Sequence, residues 1–549
     1  MRRGNLSRYA HNRAAIGGRT GMRGGQRAGS DQAAAQAGVE AAKRDWEWAA
    51  NRSLTAPLVL LLVLRLPSLF EPHWYNDEAG YATTAWLMAH GKVLFLTTWN
   101  NKPPLLFWLY QLAWGISGSR ELGLHLLSTV TEVAALVGTW RLATQYLSAP
   151  RVWIATLVAA SLLATPILNG DLALPEDFLI GFTVWGMVAM LAALRAPERR
   201  RALLLATLAG ALFGCGCLIQ QTVLADLGTA LLLLLLAGRR AWELGLVTAA
   251  TATAVVGAVL APFVAAAGLH NVVFFLVTSY SSYTTSSLHP SFWSVFPRVL
   301  GGLLLVVGAL LARRWPIERL LPWVWLATLF LAYVIPNRGY LHFLLPAVPA
   351  AALLVARVGN PGWHKVGNRA RLAGAPLLGS VLVGGYLWFA LLGSGQIGGG
   401  LFPVRLTELY YPNFAGWLAG DVSRTDYDSL YSRDSVEEHD AVTWLRQNHL
   451  TGSTAVVWSP DAWAYLLGRL QPILPEPTIY MNSYLLGSKL LFQRVSQERP
   501  VVVIVTRDSF TTYGPIEPLL QRTYTEVQVS ADGELWVRSD VTSRVLPGA

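Results

Sequence analysis

The chain has 549 residues, 53% of them hydrophobic and only 14% charged, with 22 tryptophans and a mean hydropathy of +0.39. A soluble chain carries roughly a quarter charged residues, so a soluble globular protein is excluded. The net charge of +10 is spread over short segments between apolar runs, without the basic stripe and interleaved aromatics of a nucleic-acid surface.

In chain order, residues 1–52 are rich in Arg, Gly and Ala and lack an apolar period, which predicts a basic, disordered tail. The first hydrophobic run begins only after this tail, so it does not read as a cleaved signal. A helix needs roughly 20 apolar residues to cross a bilayer. That length predicts spans at 54–70, 121–147, 152–170, 176–194, 202–220, 222–238, 243–264, 296–312, 320–336, 340–356 and 374–393. The apolar stretch 104–118 is short and opens on two prolines, and it reads as an interfacial helix. Cys215 and Cys217 lie inside an apolar run, too few for a metal site and too close together for an ordinary disulfide.

The basic residues orient this map. With the N-terminus in the cytoplasm, the inner segments hold 25 Lys and Arg, against Lys92, Lys102, Arg298 and Arg338 in the outer loops. Counting 104–118 as a crossing would send "RAPERRR" and every later basic loop outside. The expected architecture is a polytopic α-helical membrane protein of about eleven transmembrane helices. Residues 53–393 form the membrane domain, with a first outer loop at 71–120. From 394 to 549 charged residues return, and "STAVVWSP", "DAWAYLLGRL" and "RPVVVIVT" read as strand, helix, strand: an extracytoplasmic α/β domain.

On this topology the unusual polar residues share the outer side: Asp77, Glu78 and Lys102; Asp171, Glu176 and Asp177 in "LNGDLALPEDFLIG"; Gln220 and Gln221; and Arg338, Tyr340 and His342 in "PNRGYLHFLLP". The loop 269–294 adds hydroxyls and aromatics. Ionisable groups at the membrane plane are costly and suggest function. Each also has a structural reading. Asp77 suits a helix N-cap, Glu176 and Asp177 an acidic first turn after Pro175, Lys102 a snorkelling lysine, and His342 an interfacial histidine. Glu132, inside a span, reads as a paired structural residue. The chemistry that uses the whole set is group transfer from a phosphate leaving group. A carboxylate takes the acceptor's proton, and a cation holds the departing phosphate. An outward-facing transferase has no nucleotide sugar available and needs a lipid-carried one.

"NDEAGYATTAWLMAHG" followed by "NKPPLLFWL" resembles the first outer loop of the GT-C glycosyltransferases of the protein O-mannosyltransferase-like superfamily, which includes the lipid A aminoarabinose transferases. "LPEDFLIGF" resembles their second acidic loop, "RGYLHFLLPAVPAAALL" a His-containing span start, and the C-terminal segment their periplasmic domain. The resemblance implies a GT-C fold and transfer of a sugar from a polyprenyl-phosphate donor to an extracytoplasmic acceptor, with inversion, among membrane lipids. It implies Asp77 as catalytic base and Lys102 as a contact to the donor phosphate; Arg338 is a further donor-phosphate candidate, as compensation where the sequence departs from the family's pattern. Glu78 and Glu176 are candidates for catalysis, acceptor binding or metal coordination, and Tyr81, Asp177, Gln221 and His342 are substrate-binding candidates. A divalent cation, Mg or Mn, is left open; Glu78, Glu176 and His342 would be its ligands, but their spacing carries no compact metal signature. Gly80 stands where the family usually has Arg, and Gln220 where Lys is frequent. The rival class is a lipid-linked sugar flippase, which would tend to show internal repeats and mid-membrane binding residues, and neither is found here. An O-antigen ligase or polymerase would need paired Arg and His in the large outer loop.

Overall fold

The computed structural model describes residues 54–118, 121–279, 316–334, 340–358, 402–506, 514–528 and 533–545, besides the isolated positions 300 and 307. The tail 1–52, the expected spans 296–312 and 374–393, most of the hydroxyl-rich loop and Arg338 lie outside the described residues.

The first apolar run forms α1 (residues 54–65), which ends in a 3-10 turn, Pro67–Phe70. Two short helices follow, α2 (Asn76–Ala89) and α3 (Pro104–Ser117). Pro104 opens α3 because its fixed φ and missing N–H suit a first helical position. Gly118, at φ +69°, closes it in the left-handed conformation that glycine adopts without strain. The 14 residues of α3 extend only about 21 Å, less than a bilayer core. Then come α4 (Glu121–Ala143), α5 (Ala149–Leu163), α6 (Pro175–Arg195), α7 (Arg199–Cys217), α8 (Leu224–Leu236) and α9 (Arg239–Ala267). After α10 (Leu269–Val273) and a π-helical turn, the described chain resumes with α11 (Ile317–Val334), the 3-10 segment Leu341–Ala347 and α12 (Val348–Val358). Helices thus stand at nine of the eleven apolar runs. Four of them, Glu121–Ala143, Pro175–Arg195, Arg199–Cys217 and Ala241–Ala267, are long and apolar enough to cross a membrane.

Helix α6 is the hub, packed between α4 and α7 and buried along most of its length. Small residues permit this approach, since a Cβ at Gly186 would come within 2.8 Å of the Phe213 ring on α7. Between α1, α4 and α6 lies a buried polar knot. Arg65 pairs with Glu132 at 3.3 Å and also donates to Thr129, Ser128 and the carbonyls of Gly170, Leu172 and His125. So many donations satisfy a guanidinium that would otherwise be costly in an apolar interior.

From residue 402 the chain is richer in polar residues. It begins with α13 (Phe402–Ala419), α14 (Arg424–Ser429) and α15 (Arg433–Gln447), the last two capped by Ser423 and Ser432. A five-stranded mixed sheet follows, in the order β2-β1-β3-β5-β4. Its strands are β1 (Thr454–Trp458), β2 (Gln471–Pro472), β3 (Val502–Val505), β4 (Tyr524–Gln528) and β5 (Glu534–Arg538). Strands β1 and β3 run parallel with Val456 opposite Val503, and β5 pairs antiparallel to β3 with Trp536 opposite Val503. Both β1 and β3 are apolar and almost wholly buried, as parallel strands covered on both faces must be. Helices α16 (Trp463–Leu467), α17 (Ile479–Leu486) and α18 (Ser488–Glu498) fill the crossovers. Helix α16 rests on α2, where the Thr83 hydroxyl donates to the Ala462 carbonyl at 3.0 Å.

Candidate functional site

The site is built on the first turn of α2. The helix is N-capped by Tyr75, which makes no side-chain capping bond, so Asp77 is a first-turn acid rather than the cap. Its carboxylate is half-buried and lies within electrostatic reach of His342, Lys102 and Glu176. Burial lifts Asp77 above the ordinary carboxylate range, His342 and Lys102 pull the other way, and Glu176 adds to the rise. Its Oδ1 also lies 3.5 Å from the Tyr480 hydroxyl.

Lys102 comes from the strap that precedes α3. Four contacts hold this strap and the start of α3. The Trp99 N–H donates to the Pro475 carbonyl (2.8 Å), Asn100 Nδ2 to Thr84 (3.3 Å), the Leu105 N–H to the Leu218 carbonyl (3.0 Å), and Gln221 Nε2 to the Asn101 carbonyl (2.8 Å). Asn100 Oδ1 also accepts the Lys102 N–H at 3.1 Å. The lysine is 7% exposed, its Nζ stands 5.9 Å from the centre of the Tyr81 ring, and among the described residues no carboxylate pairs with it. A buried ammonium resting on an aromatic face, without a paired anion, is suited to receive one.

Glu176 opens α6 directly after Pro175, whose lack of an N–H suits this position. One of its oxygens accepts from Gln220 Nε2 at 2.8 Å, and the other has no partner among the described residues. His342, in the 3-10 segment before α12, is buried and stacked on Tyr340 at 5.4 Å. Asp77, Lys102, Glu176 and His342 thus converge from four separate segments, with Tyr81 beneath Lys102.

The other candidates sit elsewhere. Glu78 is fully buried and accepts the Ala173 N–H, with His125 Nε2 at 3.4 Å. Tyr110 donates to the Ala173 carbonyl at 2.7 Å, so this residue is clamped on both sides. Asp177 accepts the Leu174 N–H at 2.9 Å and faces Glu132 and Arg65. Gln221 bridges the Asn101 and Leu276 carbonyls, tying the strap to the π-helical turn after α10. Among the described residues no three His, Cys, Asp or Glu side chains are grouped as a metal site. Of the three metal-ligand candidates, Glu176 and His342 lie together and Glu78 is turned away from them.

Two participants carried no sequence signal. Tyr480 and Glu476 come from a segment some 400 residues after α2, and only tertiary contact brings them in. Glu476 is buried with one oxygen unpartnered, and burial pushes its carboxyl up to about 8 while Thr478 hydrogen bonds oppose the rise. Gly80, one turn after Asp77, faces the same segment: a Cβ there would come 3.2 Å from Thr478 Cγ2.

Comparison with known proteins adds to this geometry. The family model of the dolichyl-phosphate-mannose-protein mannosyltransferases matches residues 101–266. The crystal structure of ArnT from Cupriavidus metallidurans bound to undecaprenyl phosphate is similar, with a TM-score of 0.54 and 18% identity over 88% of this chain and 98% of that one. The apo structure of ArnT from the same organism gives 0.55 and 16% over 89% and 98%. No curated protein sequence matches the chain. The shared fold is the GT-C fold, as the first-loop motif implies.

Proposed function

We propose that this GT-C chain is an integral membrane glycosyltransferase that moves a sugar from a polyprenyl-phosphate donor to an acceptor outside the cytoplasmic membrane, by single displacement with inversion. The observation that carries this reading is the convergence of Asp77, Lys102, Glu176 and His342, with Lys102 unpaired by any described carboxylate. Asp77 takes the proton of the acceptor hydroxyl as that oxygen attacks the anomeric carbon. The bond from that carbon to the phosphate oxygen breaks on the opposite face, and the phosphate leaves with the electron pair. Lys102 Nζ holds the charge that develops on it. Arg338 is a second cation for the phosphate, and Tyr81, with Lys102 over its ring, is a wall of the donor site. Glu176, with an unpartnered oxygen, and His342 orient the acceptor. The same two residues would hold a divalent cation, which would supply positive charge to the site; activity in EDTA tests that requirement. Glu78 and Asp177 act by fixing the loop 171–174 that leads into α6, whose first turn carries Glu176.

The supporting likeness is to a fold seen elsewhere with undecaprenyl phosphate bound. In this reading eleven spans cross the membrane, the basic segments face the cytoplasm, and the site and the region from 394 onward face outward.

The test is purified protein with labelled polyprenyl-phosphate sugars and extracted envelope glycans and glycolipids as acceptors. A glycosidic product supports transfer. Movement of the lipid-linked sugar across liposomes without product would replace the reading with a flippase. Comparing the envelope glycans of a deletion strain with those of its parent then identifies the acceptor.

A further inference from the structure

We propose that Gln221, in the turn between α7 and α8, is a positioning residue for Lys102. Its side-chain amide fixes the strap against the π-helical turn after α10 and so sets where the ammonium meets a lipid phosphate. The inference rests on Lys102 as the phosphate contact in the reading above, and three observations carry it.

The first is the amide itself. Gln221 Nε2 donates to the Asn101 carbonyl at 2.8 Å and to the Leu276 carbonyl at 3.0 Å. Carbonyl oxygens only accept, so the nitrogen must face them, and both of its hydrogens are used. One side chain thus joins the residue before Lys102 to the π-helical turn Phe274–Thr278.

The second is that the same turn grips the chain again on the far side of Lys102. Helix α7 ends at Cys217, Gln220 is extended (φ −154°, ψ 141°), and a 3-10 turn, Gln221–Val223, leads into α8. This reversal brings the Leu218 carbonyl within 3.0 Å of the Leu105 N–H. That N–H lies in the first turn of α3, where a helix offers no acceptor of its own. Bonds at 101 and 105 therefore bracket Lys102 from one turn. Opposite them, Asn100 Oδ1 accepts the Lys102 N–H (3.1 Å) while Asn100 Nδ2 donates to Thr84 on α2 (3.3 Å).

The third is packing between the two segments that Gln221 joins. The Phe275 ring, next to Leu276, lies 6.0 Å from Phe95 at 19° and 5.4 Å from Trp99. Phe95 and Phe275 are buried, so the π-helical turn and the segment leading to Lys102 share a piece of core. Apolar contact holds surfaces together without direction, whereas the two amide bonds fix one register. A lysine gains from that, because its ammonium rides on a flexible four-carbon stem and a fixed backbone leaves less to order when an anion arrives.

Two measurements on the purified full chain test the proposal. Hydrogen–deuterium exchange reads the brace without ligand. Gln221→Met keeps the length of the side chain and removes both donations. It should speed exchange roughly 3–10-fold in peptides spanning 99–105 and 274–279, and leave β3 unchanged. Gln221→Asn, one methylene short of the carbonyls, should act likewise and is read instead if Gln221→Met does not fold. A double-mutant cycle with undecaprenyl phosphate as the probe reads the link to Lys102. Gln221→Met should weaken binding about 3–10-fold in the parent, and less than about twofold when combined with Lys102→Met. Equal losses in both backgrounds, or unchanged exchange in either peptide, overturn the proposal. Faster exchange in a protein whose binding of undecaprenyl phosphate ignores Lys102→Met would leave the brace standing and sink the proposed function instead. Where transfer is measured, Gln221→Met should lower kcat/KM for the donor at constant acceptor KM.

Discussion

Asp77 and Glu78 are neighbours in sequence whose carboxylates face different surroundings: Asp77 meets Lys102, His342 and Tyr480, while Glu78 is sealed against Ala173 and His125. Successive helical residues point about 100° apart, and here that offset turns the two carboxylates toward different neighbours. Glu176 and Asp177 divide in the same way, one toward Gln220 and the other toward the Leu174 N–H.

This division separates the two acids by experiment. Asp77→Asn should cut transfer by about 10²–10⁴-fold, the loss expected of a general base, with the melting temperature unchanged. Glu78→Gln can still accept the Ala173 N–H and should keep most of the activity. Glu78→Leu strands a buried N–H, a cost of about 1–3 kcal/mol, and should lower the melting temperature first. Turnover and thermal unfolding of the three variants check this, and full turnover in Asp77→Asn would pass the role of base to Glu176.

Lys102 offers a second contrast. Lys102→Met keeps a stem against Tyr81 but removes the charge, so the chemical step should slow by roughly 10²–10³-fold. Lys102→Arg should recover part of that loss. Undecaprenyl phosphate added to the purified protein should raise the melting temperature of the parent and of Lys102→Arg, and leave that of Lys102→Met unmoved.

Two pH effects follow from burial. Asp77 works as a base only when ionised, and its carboxyl is raised. The acid limb of the activity profile should therefore lie above the usual aspartate range, and raising the ionic strength should leave it there. Glu476 concerns stability. Its carboxyl is raised from 4.5 to about 8, so the folded state holds the proton more tightly than the unfolded chain. That contribution is complete below pH 4.5 and is lost as pH rises to about 8. Glu476→Gln should match the parent's melting temperature in acid and exceed it progressively toward pH 8, as read by thermal scans across that window.

Sidedness is checked by cysteine labelling after replacement of Cys215 and Cys217. Lys92, Ser496 and Glu198 are all exposed. Cysteines at the first two should react with an impermeant reagent from outside, and one at Glu198 only after the membrane is opened. Leu172, in the second acidic loop, is fully buried and would report nothing from either side. Labelling of Glu198 from outside would invert the map and bring nucleotide sugars within reach of the site.

The apolar helices were legible because hydropathy is a local property, and helices stand where the runs of α4, α6, α7 and α9 lie. The strap with Lys102 and the turn with Asp77 were legible as a motif. The split within each acid pair was available from helix phase, since 100° per residue already separates neighbours. Tyr480 was not available in that way: it reaches Asp77 across 403 positions, and no periodicity or spacing marks a contact made by packing. The buried knot around Arg65 was half visible, for Glu132 reads as a paired residue, but its cation was a span residue without an evident partner.

The Tyr410–Glu71 and Trp99–Pro475 bonds have a consequence for how the protein is made. Their partners are separated by 339 and 376 positions. At a ribosomal rate of roughly 5–20 residues per second, the segment bearing Asp77 and Lys102 waits about 20–80 s before the residues that brace it emerge. Until then the segment lacks both of these bonds. A chain released early by truncation or a premature stop would carry every residue of the motif and still lack the geometry. The geometry around Asp77 and Lys102 is therefore completed only near the end of synthesis.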